Sequence, residues 1–153
     1  MTPQEKRLII QTGIDILGEK FNTIEASILM AAIAYQESNF EYRKQIGGPA
    51  RGLWQFEKGG GVYGVMNHRA TKDHARRVCE IRRVSFNTES VYKQLAHDDV
   101  LAASFARLLL WTDPKPIPTH RDECWEYYMR NWRPGKPHPD RWQSSHSQAL
   151  ELY

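Results

Sequence analysis

The sequence predicts a mainly α-helical single domain, residues 1–153, built round one buried central helix with a short loop or β-ribbon region beside it. Three observations carry this. Apolar residues recur at helical spacing in most of the chain. Capping and stopping residues bracket those stretches. The glycine-rich sequence is concentrated between 41 and 63, in Gly47-Gly48-Pro49 and Gly59-Gly60-Gly61. A length of 153 residues, 41% of them hydrophobic, suits one packed core.

The elements follow in order. Thr2-Pro3 starts a helix over residues 3 to 20, with Ile10, Ile14, Leu17 and Phe21 on one face; Gly13 and Gly18 weaken it, and Gly18 can end it. Asn22 or Thr23 caps a second helix, Thr23 to Gln36. Its run from Ile28 to Tyr35 is apolar all round, which makes it the buried centre. Residues 41 to 63 read as loop or short ribbon. The triple glycine allows a sharp turn or a close ligand approach, but without a following Gly-Lys-Ser/Thr it does not make a nucleotide site.

Residues 69 to 83 read as a helix with Arg69, Lys72, Arg76 and Arg83 near one face. That face is a solvated basic surface, a nucleic-acid contact, or an attractor for another polyanion. It lacks the interleaved aromatics of a single-strand platform. Asn87 to Ser90 starts a short helix through Leu95, and Asp98-Asp99 caps the next, with Leu101, Phe105 and Leu108 inward and Pro114 as a stop. Arg121 to Trp132 is helical, with Trp125, Met129 and Trp132 on one side and Cys124 and Tyr128 beside them. These aromatics belong to the core or line a groove. After two proline-bearing connectors, a short closing helix carries Trp142, His146, Ala149 and Tyr153 at helical spacing.

Composition excludes several classes. Mean hydropathy is −0.65 and no apolar run approaches ~20 residues, so no membrane span is expected. The amino-terminal MTPQEKRL is polar and charged and has none of the apolar core of a secretory signal. Cys79 and Cys124 are expected as free, buried thiols, and no His pairs with a Cys at zinc spacing, so neither a metal nor another cofactor is expected. A net charge of +3 is compatible with an anionic partner without naming one.

The chemistry concentrates at Glu37. It continues the apolar row Leu29–Ile33 at the end of the central helix. Burial and the negative end of the helix dipole both disfavour its charged form, which raises the pKa toward that of a general acid. The plain alternative is a helix-end carboxylate that is solvated or paired with Arg43 or Arg51.

Glu37-Ser38, followed by Gly48-Pro49-Ala50-Arg51-Gly52-Leu53-Trp54-Gln55, resembles the first two motifs of the lytic transglycosylases and goose-type lysozymes. Those motifs run roughly "E-S" and "G-A-x-G-L-M-Q", here with Trp54 where Met is usual. The resemblance covers Ile28 to Glu57. It implies a lysozyme-like fold, and it implies that Glu37 protonates a glycosidic oxygen while Gln55 and nearby backbone position the sugar. Ser38 and Trp54 enter the same substrate site. Goose-type lysozymes continue with a hydrophobic residue and Asp; Phe56-Glu57 stands there, making Glu57 the candidate second carboxylate. The family's third motif, "A-Y-N", finds its nearest counterpart in Trp125-Glu126-Tyr127-Tyr128, which departs from it; Tyr128, or alternatively Tyr127, is carried over.

The expectation is therefore a monomeric enzyme that cleaves the peptidoglycan glycan strand at the β-1,4 bond between N-acetylmuramic acid and N-acetylglucosamine. It would be a transglycosylase or an inverting hydrolase, with no nucleic-acid or membrane partner. It resembles a phage or prophage endolysin, made in a host cytoplasm and acting on the wall in the periplasm, or a virion-carried equivalent. A glycan-binding virion module without activity, and less so a basic nucleic-acid binder, are the alternatives.

Overall fold

A computed structural model describes all residues, 1–153, as eight α-helices around one core of 37 buried residues. At its centre is α2 (Ile24–Ser38), capped by the Thr23 side chain, which accepts from the Ala26 N–H. Nearly all of α2 is buried, as its all-round apolar sequence demands. It runs two residues beyond the predicted Gln36. Asn39, at φ 54°, then turns left-handed and donates its N–H to Tyr35 O. The extension keeps Glu37 within the last helical turn, on its apolar row.

Before it, α1 (Pro3–Leu17) starts in a capping box between Thr2 and Glu5 and ends at Gly18, φ 110°. Residues 19 and 20, predicted within that helix, belong instead to a separate 3-10 turn, Glu19–Phe21, that buries Phe21. Gly13 is no mere weakness: a Cβ there would meet the Ala103 Cβ at 2.6 Å. It lets α1 lie tightly on α6 (Asp99–Trp111), and the Ser104 hydroxyl donates to the buried Gly13 carbonyl at 2.7 Å.

Between α2 and α6 the chain forms no sheet. The expected ribbon reduces to two isolated bridges, Lys44 with Arg51 and Arg51 with Phe56. Left-handed Gly47, Gly52 and Gln55 bend the backbone too sharply for a ladder to propagate. The triple glycine is not a loop tip either: Lys58–Val62 forms one π-helical turn that leads straight into α3 (Tyr63–Asn67). The basic helix is shorter than predicted, α4 (Lys72–Arg82), leaving Arg69 and Arg83 outside it. After α5 (Thr88–Gln94), capped by Asn87, the adjacent acids Asp98 and Asp99 each grip an arginine through two hydrogen bonds, Arg82 and Arg43 respectively. These pairs pin α4 and the loop after α2 to the start of α6.

Two further helices, α7 (Arg121–Trp132) and α8 (Pro139–Leu152), complete the fold. The expected short closing helix is fourteen residues long and lies along α2, burying Trp142, Ser145, His146, Ala149 and Leu152. Its length follows from the apolar surface that α2 offers on all sides. Both cysteines are free and buried. No helix is long and apolar enough to cross a membrane.

Candidate active site

Glu37 is half-buried at the end of α2 and opens on a cavity of about 750 Å³. Burial pushes its carboxyl up to about 7; a like charge on Glu57 adds to this, while Tyr128 and the Arg141 cation oppose it. The Tyr128 hydroxyl donates to Glu37 Oε2 at 2.5 Å. Tyr128 is itself buried, and its phenol is raised by burial and by the neighbouring carboxylate, so it remains a donor.

Aromatic packing fixes that phenol. Trp142 of α8 lies parallel to the Tyr128 ring, 5.3 Å between centroids and 3° between planes, and Trp125 and Trp132 flank it. A polar clasp holds α8 to α2 beside Glu37. Gln36 donates to His138 O at 2.8 Å and accepts from the Ser145 hydroxyl at 2.8 Å. The clasp sets the first turn of α8, and with it Arg141, on the cavity wall.

The residues of the second motif divide between wall and core. Gln55, at φ 52°, lines the cavity and donates to Gly52 O at 2.8 Å; Glu57 is exposed on the same wall. Ser38 does not face the cavity: it is buried, and its hydroxyl donates to Leu53 O at 2.6 Å, tying the two motifs together. Trp54 does not either. Its ring is 1% exposed and its indole N–H donates to Met30 O, because Leu53-Trp54 turns inward beneath the Gly52 bend. Tyr127 is corrected likewise. One residue round α7 from Tyr128, it is turned about 100° away, and its hydroxyl donates toward Leu110 O and Lys115 O, each at 3.1 Å.

Sequence reasoning missed Gln36, His138, Ser145 and Arg141. A buried amide next to Glu37 needed a partner, and that was the available signal. Nothing local pointed to Arg141. Trp132, read as a core or groove aromatic, lines the cavity and donates its indole N–H to Trp54 O at 3.0 Å. A second cavity of about 390 Å³, walled by Gly59, Gly60, Gly61 and His68, shares Gln55, Glu57, Trp132 and Arg133 with the first. The two form one groove running past Glu57. No group of three or more His, Cys, Asp or Glu side chains converges to hold a metal ion.

The site thus combines a carboxyl poised near neutrality, a fixed phenol donor, a neighbouring cation and a second carboxylate along a polar groove. No family model, curated protein or solved structure matches the chain.

Proposed function

We propose that the protein cleaves the glycan strand of peptidoglycan, with Glu37 as the general acid that protonates the departing glycosidic oxygen. The observation that carries this reading is the Glu37 carboxyl raised to about 7 and held by Tyr128 at the wall of a groove. A carboxyl of that affinity is substantially protonated near neutral pH and ionises readily once its proton has gone. Tyr128 and Arg141 stabilise the carboxylate left behind, which lowers the cost of giving up the proton.

Positive charge developing at the anomeric carbon must then be quenched. In one route Glu57 activates a water on the opposite face of the sugar, which needs the two carboxyls about 6.5–9.5 Å apart. In the other, the sugar's own 6-hydroxyl attacks and Glu37, now ionised, takes its proton, leaving a 1,6-anhydro end. Glu57 on the groove wall supports the first; the motif resemblance supports the second. Gln55, Trp132 and the glycine-lined extension supply the amide, aromatic and backbone surface that a string of sugar rings requires. The motif resemblance and the groove support a lysozyme-like enzyme of wall lysis, of the endolysin or virion-carried kind.

Mass spectrometry of digested peptidoglycan tests the proposal. Anhydro-muramyl ends mean transglycosylation and reducing ends mean hydrolysis. Intact glycan after prolonged incubation, with the glycan nonetheless bound, would reduce the protein to a binding module.

A further inference from the structure

We propose that a third cavity, separate from the groove, binds a small organic oxyanion, a carboxylate or phosphate group on an apolar or ring-bearing body. The site lies between the end of α6, the 113–119 connector and the turn at Glu19–Phe21. Its volume is about 680 Å³ and it shares no lining residue with the Glu37 groove.

Its centre is Arg107, only 2% exposed. The guanidinium makes one hydrogen bond, Nε to Phe21 O at 2.8 Å; Nη1 is buried without a partner, and no carboxylate forms an ion pair with it. An uncompensated buried guanidinium is costly, and native interiors seldom leave one so.

A second cation converges on the same spot. Arg107 Cζ stands 5.6 Å from the Phe21 ring centroid and 5.5 Å from that of Trp111. Lys20 Nζ stands 5.3 and 5.6 Å from the same two rings. Lys115 adds a third positive charge on the lining. Of the two lining carboxylates, Asp113 is engaged elsewhere, by Arg130 at 2.8 Å and Asn131 at 2.9 Å. Glu25 forms no ion pair. Two cations gathered on one aromatic pair, one of them desolvated, with a third on the same lining, define a place for an anion. The planar fork of Arg107 suits an oxyanion. Trp111, Ile117 and Pro116 supply an apolar wall for the body that carries it, and the volume is that of a small-molecule pocket.

The test uses the full chain and calorimetric titration with phenyl phosphate, benzoate and inorganic phosphate, at ionic strength fixed with chloride. Saturable binding of at least one probe is expected, the organic probes binding more tightly than inorganic phosphate, and the better of the two identifying the group. Arg107→Met should weaken binding about tenfold or more. Without ligand it should be at least as heat-stable as the wild type, because the uncompensated charge is gone. Lys20→Gln and Lys115→Gln, both at exposed positions, should each weaken binding about threefold without altering stability, and they carry the test should Arg107→Met not fold. Glu25→Gln should strengthen binding. No saturable heat with any probe beyond chloride, or affinity unchanged by the Lys20→Gln/Lys115→Gln double change, overturns the proposal. So does loss of stability in Glu25→Gln, which would make Glu25 the counterion of Arg107. None of these readouts involves glycan cleavage, so they stand or fall separately from the proposed function.

Discussion

Replacing Glu37 with Gln separates its protonation from its shape. Gln retains an oxygen that can accept from Tyr128 but cannot ionise. In the wild type the folded chain holds the Glu37 proton more tightly than the unfolded chain does, with a pKa of about 7 against 4.5. The stability this confers is complete below pH 4.5 and is lost as pH rises through 7. At 1.36 kcal/mol per pH unit the full difference is about 3 kcal/mol, and partial solvent access brings the expected value nearer ~2 kcal/mol. Glu37→Gln should therefore match the wild type in stability near pH 4.5 and exceed it near pH 8, with a Tm gap of about 4–8 °C. The same variant should abolish wall lysis at both pH values. Thermal melts followed by circular dichroism across that range measure the gap. Parallel melting curves for the two proteins would refute the account of Glu37 as a strained, desolvated acid.

Tyr128→Phe removes a donor that favours the Glu37 carboxylate, so the alkaline fall-off of lytic activity should move to higher pH, with activity at neutral pH reduced about tenfold or more. A pH–rate profile reads both. Glu57→Gln should cost a hydrolase most of its activity, about a hundredfold or more, and a transglycosylase much less; turbidity loss on purified walls distinguishes them. Gly13→Ala, ordinarily favourable in a helix, should destabilise by about 1–3 kcal/mol because α1 cannot back away from Ala103 cheaply, as denaturant melts would show. Trp54→Phe should lower stability by about 1–3 kcal/mol through the lost bond to Met30 O and the void left behind, while KM for glycan stays unchanged.

Much of this was written locally. Thr23, Asn87 and Asp98 are caps whose side chains do what their types allow, and the helices they start fall where expected. Glu37 could be picked out because it ends an apolar row and is followed by the Gly52-Leu53-Trp54-Gln55 motif; the row alone left a solvated or ion-paired carboxylate as the plainer reading. The misreadings share a cause: each was decided by partners distant in sequence. Gly13 reads as a defect until α6 is laid against it. The triple glycine reads as a loop until its place before α3 makes it a helical turn. Trp54, Ser38 and Tyr127 carry polar groups that could serve a ligand, and only the packed chain shows those groups satisfied by backbone carbonyls. Tyr127 and Tyr128 are neighbours in sequence, and the rotation of α7 gives one to the core and the other to the acid.

The apposition of α8 on α2 has a temporal meaning. A ribosome-borne chain that has emerged only as far as the 134–137 connector already holds Glu37 and Tyr128. It lacks Trp142 to press the phenol into place, Arg141 to offset the carboxylate, and the His138 and Ser145 partners of Gln36. Such a nascent chain should be catalytically dormant, and competence should arrive in a single step when residues 139–152 dock.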